Sequence, residues 1–217
     1  MQYRVLYFSI TLFTLLFAVA CGCPPDEEIG QIGLSETART FLPYDGTETL
    51  VFADEAGNTI RFTAPRGKEE GTDQVCIRTI CTEARFNSPS SCEYFKADNL
   101  RFVFVSEDQE RLIDLLVYTL LYQRDTENFY DALQVSYASG PPSFVADWLI
   151  ETRFSGTIDV ADTPLDNLMS FEEEIMLRGE SYTEVLRFQQ NELGIYLQAG
   201  KGVIALEEGD QLWLLQE

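Results

Sequence analysis

Histidine is absent from the sequence, and lysine is restricted to Lys68, Lys96 and Lys201. Without an imidazole, the chain lacks the general base of serine and cysteine triads and the commonest metal ligand. The scarcity of lysine leaves few amines for covalent catalysis. No catalytic motif is recognisable among the other residues, and we expect neither a cofactor nor a bound metal.

The beginning of the chain lacks an apolar run long enough for a transmembrane helix. The uncharged stretch after Arg4, VLYFSITLFTLLFAVA, covers the 16 residues 5–20, whereas a spanning helix needs about 20. A basic start, an apolar centre and a small-residue exit are typical of a secretory signal peptide. We therefore predict that residues 1–20 are removed on export; an uncleaved membrane anchor is the alternative.

Basic residues are few relative to acidic ones. The chain has 15 Lys+Arg against 36 Asp+Glu, a net charge of −21, and loss of Arg4 with residues 1–20 makes it −22. This charge repels phosphate backbones and anionic lipid, so we expect no nucleic acid partner and no binding flat on a membrane surface. The length suits one domain, which we place at residues 31–217.

The signal exit, Ala18-Val19-Ala20-Cys21, resembles the lipobox of bacterial lipoproteins. The resemblance implies that the Cys21 thiol receives a diacylglycerol, that the peptidase cuts before it, and that the new amino end is acylated. Such chemistry uses sulfur as the nucleophile. Several acyl chains hold a protein firmly on a bilayer. An ordinary signal peptide that happens to end at a cysteine is the alternative.

The next residues, GCPPDEE, are similar to the surface-export signal of Bacteroidota lipoproteins, in which acids closely follow the lipidated cysteine. The resemblance implies an outer-membrane location and leaves the periplasmic face and the cell surface both open. The pair Pro24-Pro25 favours an extended backbone. We therefore predict a lipidated, flexible stalk over residues 21–30.

Four cysteines remain after Cys21, namely Cys23, Cys76, Cys81 and Cys92. An even number in an oxidising compartment predicts two disulfides, for which three connectivities exist. We favour Cys81–Cys92 because these two flank a short loop. A zinc site is not indicated, since close C-x-x-C pairs are missing.

Alternating apolar residues predict a mainly β fold. Leu50 and Phe52, then Ile60 and Phe62, alternate with other residues on either side of a turn at Gly57-Asn58, which is typical of a hairpin. Residues 112–123 are almost continuously apolar and fit a buried strand better than a helix. Two further strand pairs are predicted, one formed by 74–86 with 93–105 and the other by 129–138 with 144–154. A meander with glycine-containing turns is predicted within 173–216. We expect a large antiparallel, curved sheet or open barrel-like meander with at most one or two short helices, one of them within 163–174.

The C-terminal segment resembles the closing pattern of Bacteroidota lipoproteins of unknown function. The matching residues are Tyr182, Val185, Tyr196, Gly200, Gly202 and Trp213. The resemblance implies an exported β-rich domain and brings no active site. Strand-period spacing places Leu186, Phe188, Ile204, Leu206, Trp213 and Leu215 in the core. Glu208, near a turn, is expected to be solvated.

These features favour a lipid-anchored, non-enzymatic binding or interaction domain at the outer membrane, whose partner is another envelope protein or an apolar ligand. The alternatives are a carrier of an apolar ligand and a carboxylate-dependent hydrolase of surface polysaccharide. A deep apolar cavity would favour carriage. Two carboxylates facing each other across an open cleft would favour hydrolysis. If neither feature is present, an interaction module is the remaining interpretation.

Overall fold

The computed structural model describes residues 23–82, 90–121, 129–152 and 169–216. Strands account for 70% and helix for 3% of the structure, so the fold is mainly β as predicted. The single described helix is α1, Glu36–Thr40. The strands are β1 Glu27–Ile32, β2 Thr49–Ala53, β3 Thr59–Thr63, β4 Glu69–Cys81, β5 Ser91–Ser106, β6 Arg111–Leu121, β7 Phe129–Ser139, β8 Ser143–Thr152, β9 Met169–Leu177, β10 Glu180–Gln190, β11 Leu193–Gln198, β12 Gly202–Glu208 and β13 Gln211–Leu215.

All thirteen strands belong to one sheet, which curls until it is nearly closed into a barrel. The order of neighbours is β8-β7-β6-β5-β3-β2-β13-β12-β11-β10-β9, while β1 and β4 both pair with β5 off this path. Most neighbours are sequential antiparallel hairpins. The joint between β13 and β2 is different, because it brings the C-terminal strand beside one of the first strands.

Strand β5 is the longest and has four partners. Its first part pairs with β4 along one edge and with β1 along the other, and its last part pairs with β3 and β6. We call the barrel end with the turns 107–110, 140–142 and 209–210 the upper end, and the end with Cys23 and Ser91 the lower end. Strand β5 begins at Ser91 and ends just before the turn 107–110, so it runs the full height of the barrel.

The strand prediction for residues 112–123 is confirmed over Arg111–Leu121; residues 122 and 123 lie outside the described residues. Ile113, Leu115 and Val117 are completely buried, and the residues between them are partly exposed. This period of two is the signature of a strand with one face in the core. The sequence of β6 does not show this alternation, because several residues on the outer face are also apolar.

The start of the chain differs from the prediction. Residues 27–30, assigned to the flexible stalk, belong to β1, which pairs in parallel with β5. Helix α1 was not predicted; it begins after Ser35, whose hydroxyl accepts a hydrogen bond from the Ala38 N–H at 3.1 Å. The helix expected within 163–174 is wrong for residues 169–174, which form β9 beside β10, and residues 163–168 lie outside the described residues.

The barrel interior is filled with side chains. Its main cluster draws on strands from both ends of the sheet, and Phe52, Phe62, Phe102, Phe104 and Phe188 within it are completely buried. Dense contact of this kind is how protein cores are normally packed. The predicted hairpin is thus confirmed, since Phe52 and Phe62 both point into this core.

Segment 34–44, which contains α1, closes the lower end of the barrel from inside. Its residues Leu34, Ala38 and Leu42 belong to the main cluster. The Tyr44 hydroxyl accepts the Val203 N–H at 2.7 Å. Gly202 has φ +76°, and a Cβ there would lie 2.0 Å from the Tyr44 hydroxyl oxygen, so only glycine fits at this position.

The hairpin of β9 and β10 folds back across the outside of the sheet. Its tip residue Arg178 donates from Nη1 to the Ala53 carbonyl on β2 at 2.8 Å. Beneath it lies a second buried cluster, in which Leu177 from the hairpin packs with Ile204 and Leu214 from the sheet. Ile204 is therefore buried as predicted, but in this outer cluster and not in the barrel.

Candidate functional site

The cysteines lie together at the lower end of the barrel. Cys23 is bonded to Cys81, with an S–S distance of 2.02 Å and a sequence separation of 58. The favoured pairing of Cys81 with Cys92 is therefore wrong. In the register of the sheet Cys81 lies opposite Ser91, and because strand side chains alternate, Cys92 points to the other face.

Further contacts fasten the first described residues to β5. Asp26 accepts the Cys92 N–H through Oδ1 at 2.9 Å. Glu28 forms an ion pair with Lys96, with 2.8 Å between Oε2 and Nζ, and the hydrogen bond from Lys96 is the main reason that the pKa of Glu28 lies below its usual value. The segment that begins two residues after Cys21 is thus held against the barrel by a covalent bond, polar contacts and the β1 ladder.

Cys76 and Cys92 carry free thiols, the first exposed and the second partly buried. In the register of β4 and β5, Cys76 lies opposite Tyr94, two residues after Cys92, so the two thiols are neighbours on one face of the ladder. Burial, and then the neighbouring Cys76 thiol, raise the pKa of Cys92 to about 12. The lower end therefore combines one disulfide with a pair of adjacent thiols.

A charged group closes the upper end. Arg111 binds Glu208 through two hydrogen bonds, Nε to Oε1 at 2.8 Å and Nη2 to Oε2 at 3.1 Å. The Tyr137 hydroxyl also donates to Oε1. Burial raises the pKa of Glu208, but the hydrogen bonds from Arg111 and Tyr137 outweigh it, so the pKa is lowered. A carboxylate held ionised in this way is a poor general acid.

The neighbouring Glu207 has its own partners. It accepts from Arg187 Nη2 at 3.2 Å and from the Tyr196 hydroxyl at 2.7 Å. Consecutive residues of a strand point to opposite faces, so Glu207 and Glu208 do not face each other. These two acids, although adjacent in sequence, do not form the carboxylate pair of a glycosidase.

Asp131 is the one completely buried carboxylate among the described residues. It accepts the Ser35 N–H through Oδ2 at 2.8 Å and the Thr119 hydroxyl through Oδ1 at 3.2 Å. These bonds join β7 to β6 and to the start of α1. The role of Asp131 is thus to position segment 34–44 at the lower end.

Two of the cavities that the described residues line are polar surface clefts. One of about 360 Å³ lies beside Arg39, Glu70 and Asp98. Another of about 350 Å³ lies under the β9–β10 hairpin, where the Lys201 ammonium is 5.6 Å from the centre of the Tyr182 ring. Neither is the deep apolar pocket that a carrier of an apolar ligand requires.

Within the ranges 23–82, 90–121, 129–152 and 169–216, no group of three or more Cys, Asp or Glu residues is arranged to hold a metal ion. No helix there has the length and apolar character needed to cross a membrane.

Replacement of Glu208 by alanine should lower the free energy of unfolding by about 2 kcal/mol, because Arg111 and Tyr137 lose their partner in a half-buried site. Urea denaturation at pH 7 measures the loss, with Glu55→Ala on an exposed turn as the control. The expectation that Glu208 is solvated is wrong, since its side chain is only 13% exposed. Equal stability of Glu208→Ala and Glu55→Ala would contradict the role of Glu208 as the partner of Arg111 and Tyr137.

The pH dependence follows from the lowered pKa of Glu208. Its contribution to stability is complete above the unfolded-state value of about 4.5 and is lost as the pH falls through the lower folded-state value. The Glu208→Ala variant should therefore lose less stability than the parent between about pH 5 and pH 3.

No family model, curated protein or solved structure matches this chain.

Proposed function

We propose that this chain is a lipid-anchored exported protein of the outer membrane, and that its barrel is a non-enzymatic interaction domain. The observation that carries the proposal is the bond between Cys23 and Cys81. Cys23 lies two residues after the lipobox cysteine, Cys21. The barrel is thus tied covalently to the chain directly beside the proposed lipid.

The disulfide also supports export. Such bonds form and persist in oxidising compartments and are rare where cellular thiols are kept reduced. The apolar residues 5–20 and the small residues before Cys21 provide the matching export signal. We infer that the N-terminal segment holds the barrel close to the lipid surface, with its lower end towards the membrane.

The filled interior supports an interaction role over carriage of an apolar ligand. Side chains such as Tyr137, Phe102 and Leu115 occupy the space that a ligand would need. The acids Glu207 and Glu208 are engaged by arginine and tyrosine, which supports a structural role for both. Binding would then use the outer surface of the barrel, and we propose another envelope protein as the partner.

The anchor is tested by Cys21→Ser in cells that are fed labelled palmitate. The parent protein should incorporate the label and Cys21→Ser should not, because serine lacks the thiol that accepts the diacylglycerol. Cys23→Ser is the matched control, since it removes a thiol two residues away and should leave the labelling intact. Continued labelling of Cys21→Ser would contradict the lipid attachment.

A further inference from the structure

Strands β4 and β5 bring two thiols together that the first disulfide leaves free. Cys76 lies opposite Tyr94, and Cys92 precedes Tyr94 by two residues on the same strand. Residues two apart on a strand share a face, so both thiols lie on one face of the ladder as diagonal neighbours. A register shift between Cys76 and Arg78 lies directly beside the pair.

The two thiols are neighbours, because the register places them on one face and the Cys76 thiol is among the causes of the raised pKa of Cys92. A disulfide of about 2.05 Å needs Cβ atoms about 3.5–4.5 Å apart. Diagonal neighbours of a ladder start farther apart than this, so closure requires a local shift of the two strands. Bulges are local kinks at which the strand spacing can adjust.

We propose that Cys76 and Cys92 close a second, cross-strand disulfide at the lower end of the barrel when the protein meets an oxidising thiol–disulfide exchanger. The bond would lock β4 to β5 beside the register shift. It lies on the opposite face of the ladder from Cys81, so the two disulfides would fasten both faces of this end. The proposal rests on the proposed export, which brings the protein to such an oxidant.

The two thiols differ in reactivity. Cys76 is exposed to solvent, whereas Cys92 is partly buried. The pKa of Cys92 is raised by burial and by the neighbouring Cys76 thiol, and a thiol that stays protonated is a poor nucleophile. Cys76 is therefore the first to react and Cys92 the second.

The oxidation proceeds by two successive thiol–disulfide exchange steps. The Cys76 thiolate attacks one sulfur of the oxidant's disulfide, which forms a mixed disulfide and releases the other sulfur as a thiolate. Cys92 then loses its proton to solvent and attacks the Cys76 sulfur, which releases the oxidant's second thiolate. The two cysteines lose two electrons and two protons in total, and the oxidant's disulfide is reduced to two thiols.

The test follows two tryptic peptides of the folded, full-length protein, 69–78 with Cys76 and 86–96 with Cys92. The protein is treated with oxidised glutathione, alkylated, digested without reduction and analysed by mass spectrometry. We expect the two peptides to be linked to each other and to carry no alkyl group. This readout does not depend on the lipid, so its failure is separate from failure of the palmitate labelling.

Single variants make the pairing specific. Cys76→Ser should leave one alkylated thiol at Cys92, Cys92→Ser should leave Cys76 as its mixed disulfide with glutathione, and the double variant should leave neither product in these peptides. Circular dichroism spectra that match the parent exclude misfolding as the cause. Alkylation of both peptides after oxidation, or linkage of either one to peptide 79–85, would overturn the proposal.

Discussion

Replacement of Trp213 by alanine is expected to lower the free energy of unfolding by about 3–5 kcal/mol, the usual cost of removing a large aromatic side chain from a core. Trp213 is 6% exposed and belongs to the main cluster of the barrel. It lies opposite Leu206 on β12, and its strand β13 joins the C-terminal meander to β2. A cavity there would weaken packing on both sides of this joint.

The indole of Trp213 stabilises the barrel by packing alone, because its Nε1 has no hydrogen-bond partner among the described atoms. Urea denaturation measures the effect, with the exposed Gln211→Ala on the same strand as the control. The expected loss is a large part of the roughly 5–15 kcal/mol that stabilises a typical domain. Small and equal losses in both variants would mean that β13 is a loose extension and not part of the barrel wall.

Loss of the Cys23–Cys81 bond should have a similarly large effect. The bond closes a loop with a sequence separation of 58, for which the chain-entropy relation gives about 4 kcal/mol of stabilisation. Cys23→Ser, Cys81→Ser and the double variant should therefore be destabilised equally, because any of them removes the same bond. Thermal and urea unfolding of the three variants against the parent measures this.

A double-variant loss that equals the sum of the single losses would contradict the pairing, since two residues that act through one bond are not additive. The parent treated with a reductant should also approach the stability of Cys23→Ser. If reduction does not change the stability of the parent protein, the stabilising Cys23–Cys81 bond is likewise contradicted.

Local patterns in the sequence predicted most of the strands. The alternation around Leu50 and Phe52 gave the first hairpin, and the β-branched and aromatic residues of 112–121 favoured β6 over a helix. In both cases the relevant information lies within about ten residues, because a strand with one buried face repeats every two residues. Glycine-containing turns then separated the strands of the meander.

Contacts between distant residues were not predictable in this way. The parallel β1, the joint of β13 with β2 and the pairing of Cys23 with Cys81 each connect segments with no local signal of one another. Helix α1 is too short to show a clear period, and packing inside the barrel stabilises it. The sequence near Glu208 resembles a solvated turn because Arg111 and Tyr137 lie far away along the chain.

Whether the barrel is fastened beside a lipid anchor is tested most directly by a peptide map of the protein extracted from cell membranes in detergent and digested with trypsin without reduction. Cleavage after Arg39, Arg78 and Arg85 separates the N-terminal peptide 21–39 from the peptide 79–85, which contains Cys81. We predict one species in which peptide 21–39 carries acyl chains at Cys21 and is disulfide-linked to peptide 79–85. An N-terminal peptide that begins elsewhere or lacks acyl chains, or one that is not linked to peptide 79–85, would contradict a barrel fastened beside its lipid anchor.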